Sequence, residues 1–182
     1  MQQTTLITGG CRSGKSRHAL VLGEALTGQN KIFLATCQPQ DEEMRHRVQR
    51  HQIERGAHWQ TVEEPLHIDK VISQFAPNAA VCLVDCLTLW VSNLLLAHAE
   101  DQAVGRCIDR LCRVIADPPC PLILVTNEVG TGIVPENQLA RRFRDLVGWA
   151  NQQVAAACDR VIWMVAGIAV TIKPQGREQT EG

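Results

Sequence analysis

Four fixed positions constrain this 182-residue chain more than any other feature: Gly9-Gly10-Cys11-Arg12-Ser13-Gly14-Lys15-Ser16 fits G-x-x-x-x-G-K-[ST] throughout. The apolar run Thr4-Thr5-Leu6-Ile7-Thr8 before it reads as a short buried strand. Arg17 to Leu26 after it reads as a helix, with Ala19, Leu20, Leu22 and Leu26 at helical spacing. Strand, glycine loop and helix in that order are the setting in which this pattern holds phosphate. Glycines let backbone N–H groups converge on phosphate oxygens, and the new helix presents its positive end to them. The spacing predicts a nucleoside triphosphate site in which Lys15 reaches the β- and γ-phosphates and the Ser16 hydroxyl ligates Mg²⁺. A glycine-rich turn that binds nothing is the competing reading, and it leaves the agreement of motif and flanks unexplained.

Composition narrows the class. The length suits one domain with a proper core, expected over residues 1–174, with a polar and disordered tail over 175–182. A formal net charge of −1 argues against a nucleic-acid binder, and no apolar run approaches the roughly twenty residues of a membrane span. The first strand begins almost at once, which leaves no room for a signal peptide, so a cytoplasmic location is expected. Eight cysteines include no C-x-x-C. Cys37, Cys82, Cys86 and Cys158 lie in or beside apolar runs as small hydrophobes, and reduced thiols are the default. Cys11 lies inside the phosphate loop, near Lys15 and a helix N-terminus, surroundings that favour a thiolate. Its plainer reading is a small residue at a variable loop position.

Strand and helix alternate along the remainder. Lys31 to Cys37 reads as a second strand, Asp41 to Arg55 as a basic amphipathic helix, and Trp59 to Val62 as a short strand. A helix from about Leu66 to Phe75 precedes Ala79 to Asp85, a continuous apolar run of the kind buried on both faces. Helices Thr88–His98 and Ala103–Ile115, a strand Pro121–Thr126 and a long helix Glu136–Cys158 follow. Leu139, Phe143, Leu146, Val147, Ala150 and Val154 fall on one face of that last helix. Strands at Arg160–Val165 and Ala169–Ile172 complete an α/β fold of the P-loop NTPase, RecA-like type, a mostly parallel sheet with helices on both faces. Ligands are expected at the carboxyl ends of its strands.

Asp85 ends a buried strand downstream of the phosphate loop, the place from which a carboxylate shares the Mg²⁺ with Ser16. The other reading makes it the cap of the helix near Thr88. In the helix Asp41–Arg55, Met44, Val48, His51 and Arg55 fall on one stripe, whereas His46 lies on the far side with Arg45, Arg47 and Arg50. His51 is therefore either a core histidine or a nucleophile at phosphorus one turn from a phosphate-holding arginine.

Several stretches together resemble one family. They are the phosphate loop, Glu43-Met44-Arg45-His46-Arg47-Val48-Gln49-Arg50-His51, and Asp85-Cys86-Leu87-Thr88-Leu89-Trp90-Val91-Ser92-Asn93-Leu94. Thr126-Asn127-Glu128-Val129-Gly130-Thr131-Gly132-Ile133-Val134-Pro135, Arg142-Phe143-Arg144-Asp145 and Asn151-Gln152 join them. The chain resembles, from Thr4 to Lys173, the bifunctional adenosylcobinamide kinase/adenosylcobinamide-phosphate guanylyltransferases of cobalamin biosynthesis. The resemblance implies two reactions. ATP or GTP phosphorylates the aminopropanol hydroxyl of adenosylcobinamide; then a histidine takes GMP from GTP, expelling pyrophosphate, and passes it to the phosphorylated corrinoid. The family pattern selects His51 as that histidine. It also implies nucleotide contacts at Leu34, Ala35, Thr36, Gln52, Ile53, Glu54, Arg55, Glu63 and Asp85, although Glu64 adjoins Glu63 and spacing alone does not choose between them. The family further implies a homotrimer, with Trp59 and Trp149 as candidate interface residues. Another small-metabolite kinase would share Lys15, Ser16 and Asp85 without needing His51. A GTP-dependent switch would carry N-K-x-D where Asn127-Glu128-Val129-Gly130 stands, and a RecA-like nucleic-acid motor conflicts with the charge balance.

Overall fold

The computed structural model describes residues 3–37, 42 and 58–174. In chain order its elements are β1 (Thr4–Gly9), α1 (Lys15–Ala25), β2 (Lys31–Ala35), β3 (Trp59–Glu63), α2 (Ile68–Phe75) and a 3-10 turn (Ala76–Asn78). Then come β4 (Val81–Asp85), α3 (Leu87–Ala97), α4 (Asp101–Ala116), β5 (Leu122–Val125), α5 (Gln138–Ala157), β6 (Arg160–Val165) and β7 (Ile168–Lys173). The strands form one sheet in the order β3-β2-β4-β5-β1-β6-β7. Every neighbouring pair is parallel except β6 and β7, which form an antiparallel hairpin at one edge.

Alternation along the strands divides the core in two. Leu6, Leu34, Val84, Leu124 and Val161 face the helices α2 to α5, whose buried residues include Ile72, Trp90, Ile108 and Val154. Ile7, Phe33, Leu83, Val125, Ile162 and Met164 face α1, which contributes Ala19. Both faces of β4 and β5 are thus covered, which is why these strands read as unbroken apolar runs. In α4 the buried set Val104, Cys107, Ile108, Leu111 and Ile115 keeps helical period, as does Leu146, Val147, Ala150 and Val154 in α5. Asn137 caps α5, its Oδ1 accepting the Ala140 amide at 3.1 Å.

Three sequence expectations are corrected. Leu139 was expected on the inward face of the last helix, but it is 51% exposed, because it lies in the first turn of α5, beyond the buried stripe. Trp59 is a core residue and not an exposed interface candidate: its indole N–H donates to Glu24, and its ring lies over Gly23, where a Cβ would sit 2.7 Å from the ring. Trp149, by contrast, is partly exposed. The first helix begins at Lys15 and not Arg17, since Gly14, at φ +94°, already occupies its N-cap. The expected helix Asp41–Arg55 lies outside the described residues.

The cysteines behave as the apolar context predicts. Cys82, Cys86, Cys107, Cys120 and Cys158 are buried and free. Burial pushes the Cys86 thiol up to about 11 and the Cys158 thiol up to about 12, so these side chains stay neutral. Among the described residues no helix is long and apolar enough to cross a membrane.

Candidate nucleotide site

The phosphate loop closes on itself where β1 ends. Gly9 has φ +151°, and a Cβ there would lie 2.4 Å from the Met164 carbonyl oxygen and 2.9 Å from Ser13 Oγ, so only glycine fits. Arg12, at φ +54°, and Gly14 turn the chain through the left-handed region into α1. The Ser13 amide donates to the Gly10 carbonyl at 3.4 Å, and the His18 amide to Gly14 at 3.0 Å. Gly14 has no side chain with which to cap α1, so the first amide donors of the helix open toward the loop. Cys11 and Arg12 are exposed, whereas Ser13 and Lys15 are buried. Lys15 Nζ donates to the Gly10 carbonyl at 2.5 Å and to Ser13 Oγ at 3.4 Å. Burial lowers the Lys15 pKa below the ordinary lysine value, and the nearby Asp85 opposes that shift.

Asp85 stands at the carboxyl end of β4, half-buried and electrostatically coupled to Lys15. The N-cap position of α3 is Cys86, one residue beyond Asp85. The Asp85–Cys86 peptide bond is cis. Thr36 holds this corner: its hydroxyl donates to the Cys86 carbonyl at 2.8 Å and accepts the Cys86 amide at 2.9 Å, while its own amide donates to the Asp85 carbonyl at 3.2 Å. Thr36 was expected as a nucleotide contact; its hydroxyl is occupied in shaping the corner that presents Asp85. Leu34 is fully buried in the core, and Ala35 is half-buried at the end of β2.

Glu63 and Glu64, indistinguishable by spacing, differ in their surroundings. Glu64 Oε1 accepts the amides of Leu66 and His67 at 2.8 and 2.9 Å, so this carboxylate shapes the entry into α2. Glu63 is exposed at the end of β3, paired in register with Ala35. It is the carboxylate turned outward at the same edge of the sheet. His51, Gln52, Ile53, Glu54 and Arg55 lie outside the described residues.

Two features of the site escaped sequence reasoning. The first is the β6–β7 turn, Ala166 at φ +51° and Gly167 at φ +83°, whose Gly167 amide donates to the Ser13 carbonyl at 3.1 Å. It walls the phosphate loop from the side. The second is a partly buried polar ring around Asn127. The Asn127 amide donates to Thr88 Oγ1 at 2.7 Å, Thr88 Oγ1 and Thr126 Oγ1 are 3.2 Å apart, and Thr126 Oγ1 donates to Asn151 Oδ1 at 2.7 Å. Asn151 Nδ2 closes the ring on the Asn127 carbonyl at 3.1 Å. The sequence marks these residues only as parts of the motif stretches; their meeting joins α3, β5 and α5. A groove of about 550 Å³ between α4 and α5, lined by Asp101, Arg142 and Trp149 among others, shares no residue with the phosphate loop.

Residues 5–172 match the model of the family described as cobinamide kinase / cobinamide phosphate guanyltransferase. The chain is 46% identical to the bifunctional adenosylcobalamin biosynthesis protein CobU of Salmonella typhimurium, over 92% of this chain and 98% of that protein. It is 42% identical to the corresponding CobP of Pseudomonas aeruginosa, over 92% of this chain and 96% of that protein. Among solved structures, the KaiC-like protein PH0186 of Pyrococcus horikoshii superposes with a TM-score of 0.51 at 16% identity, covering 88% of this chain and 70% of that one. The flagellar accessory protein FlaH of Methanocaldococcus jannaschii gives 0.51 at 12% identity, covering 94% and 78%. These two share the fold alone, the phosphate-loop NTPase type expected from the sequence. With a matched phosphate loop at its centre and a family match over nearly its whole length, the chain belongs to the cobinamide kinase / cobinamide phosphate guanyltransferase family.

Proposed function

We propose that the chain phosphorylates the aminopropanol hydroxyl of adenosylcobinamide with ATP or GTP and then converts the product to adenosyl-GDP-cobinamide through a GMP–histidine at His51. The observation that carries this reading is the arrangement of Lys15. It is buried at the head of α1, bonded into its own loop, and lies in the field of Asp85. In the first reaction the substrate hydroxyl oxygen bonds to the γ-phosphorus, the bond to the β–γ bridging oxygen breaks, and the diphosphate leaves with the electron pair. Gly9 to Ser16 anchor the triphosphate, and Lys15 exchanges its contact with Gly10 for phosphate oxygens. In the second reaction a ring nitrogen of His51 bonds to the α-phosphorus of GTP as pyrophosphate leaves. The corrinoid phosphate oxygen then displaces the histidine.

The other contacts follow from position. Ala35, Glu63 and the backbone around Thr36 border the nucleotide at the carboxyl edge, with Leu34 behind them, and Gln52 to Arg55 adjoin the nucleophile. Mg²⁺ is held through few protein oxygens plus substrate phosphates, a demand that Ser16 and Asp85 fit. Among the described residues no cluster of three or more His, Cys, Asp or Glu forms a competing metal site. When bound, the ion neutralises charge on the phosphates.

One domain over 1–174, a cytoplasmic location, no nucleic-acid partner and a homotrimer complete the proposal. The trimer gains support from Trp163, Val165, Ile168 and Val170, apolar side chains exposed on one face of the β6–β7 hairpin. Light scattering should give about three times the 20.1 kDa chain mass, and a monomer mass would reject assembly.

The test of function is incubation with α-labelled GTP. Label should become bound to the protein and be released by acid. A kinase lacking a covalent intermediate would phosphorylate its substrate and leave the protein unlabelled.

A further inference from the structure

Asn127 is held by its backbone from both sides, yet its own carboxamide makes no hydrogen bond among the described residues. The ring described above fixes the direction of each proton. Thr88 Oγ1 accepts the Asn127 amide, and Thr126 Oγ1 spends its proton on Asn151 Oδ1. The bond between the two hydroxyls must therefore run from Thr88 to Thr126. Asn151 Nδ2 then returns to the Asn127 carbonyl. Both backbone groups of one residue are thus tied by two side chains from two different helices. Thr126 is fully buried and Thr88 nearly so, so the bond between the two hydroxyls forms away from competing water.

The position of Asn127 gives this constraint a purpose. The Thr126 amide donates to the Ile7 carbonyl and the Glu128 amide to the Gly9 carbonyl, each at 3.0 Å, so parallel pairing runs past the end of β5. Two residues beyond the Ile7–Val125 rung, Asn127 stands abreast of Gly9, where the phosphate loop opens. On the other side Val125 pairs with Asp85. Asn127 therefore lies on the strand between the phosphate loop and the proposed metal carboxylate. Thr126 turns its hydroxyl toward α3 and α5. By alternation Asn127 follows Ile123 and Val125 to the face covered by α1, the helix that Lys15 begins. The adjacent Glu128 is already committed: its Oε1 accepts the Gly130 amide at 2.8 Å.

We propose that the Asn127 carboxamide donates a hydrogen bond to the terminal phosphate during phosphoryl transfer, and that Thr88, Thr126 and Asn151 are positioning residues that hold it there. This inference rests on the kinase reading given above. As the hydroxyl oxygen bonds to the γ-phosphorus and the bridging bond breaks, charge shifts over the phosphoryl oxygens, and the leaving diphosphate takes the electron pair. The hydroxyl proton passes to solvent. Asn127 neither gains nor loses a proton. Its N–H, fixed before the reaction, stabilises the transferring group without reorganisation.

The experiment compares full-length wild type, Asn127→Ala, Asn127→Asp and Lys15→Ala, measuring phosphoryl transfer, nucleoside diphosphate affinity and thermal unfolding. Asn127→Ala should lower kcat about 10²-fold while leaving diphosphate affinity and melting temperature near wild type. A merely structural asparagine would move those last two. Asn127→Asp, which loses the donor and adds a negative charge, should be at least as slow as the alanine variant. Thr126→Val should reproduce much of the loss and Thr126→Ser should restore it, since serine keeps the hydroxyl in the ring. Full turnover in Asn127→Ala beside an inactive Lys15→Ala would overturn this inference alone. Full turnover in Lys15→Ala would overturn the kinase reading, and the inference with it.

Discussion

The amide of Gly167 donates to the carbonyl of Ser13 across 3.1 Å, so a turn late in the chain braces a loop near its start. Met164 packs under the same loop, its carbonyl oxygen 2.4 Å from where a Cβ on Gly9 would lie. The antiparallel hairpin is therefore part of the nucleotide site as well as the edge of the sheet. It fixes one wall of the phosphate loop, whereas α1 supplies the floor.

Gly9→Ala should abolish detectable nucleotide binding, because neither the Met164 backbone nor Ser13 can yield by the required distance. Gly167→Ala should be milder. Its Cβ would meet nothing within 4 Å, and the cost is the left-handed backbone alone, about 1–2 kcal/mol. Calorimetric titration with a nucleotide should show a large loss for the first and a few-fold loss for the second. Equal affinities in both variants would contradict the bracing role.

Thr36→Val removes a hydroxyl that serves the Cys86 carbonyl and amide at once. Leaving those buried groups unmet should cost about 1–3 kcal/mol in urea unfolding. Phosphoryl transfer should fall as well, because the corner presenting Asp85 loosens. Thr36→Ser should recover both properties. A valine variant as stable and active as wild type would show that the corner holds itself.

His51→Ala is expected to eliminate the labelled GMP adduct and guanylyl transfer while sparing much of the phosphorylation of cobinamide, which uses the substrate's own oxygen. His46→Ala should leave both activities nearly intact, since the helical spacing expected from the sequence would put that ring on the opposite face. Loss of adduct in the His46 variant with retention in the His51 variant would reverse the assignment.

His18 should make the protein acid-sensitive. Its Nε2 is buried without a partner among the described residues, and burial, then the nearby Arg160, lower its pKa from the ordinary histidine value. Between that lowered value and the unfolded value of about 6.5, the unfolded chain binds more protons, so stability rises with pH across this window. Below the folded pKa the loss is complete. Denaturant unfolding of His18→Gln from pH 5 to 7.5 should show a flatter dependence than wild type; identical slopes would remove His18 as the cause.

Motif spacing alone determined the phosphate loop, and hydrophobic periodicity determined nearly every described strand and helix. Both are local signals: four residues in one loop, or an apolar stripe at the period of its element. The fold class followed from alternation, and the end of β4 at Asp85 from the charge that closes its apolar run. Only the tertiary structure gave Glu63 and Glu64 different surroundings, Glu64 bonded to the amides that lead into α2 and Glu63 exposed. It also moved Trp59 from candidate interface to core, where this β3 residue packs against Gly23 of α1. Tertiary contacts likewise brought Gly167 against Ser13 and assembled Thr88, Thr126, Asn127 and Asn151. Those residues come from separate elements, and long-range hydrogen bonds leave no period in the sequence from which to read them.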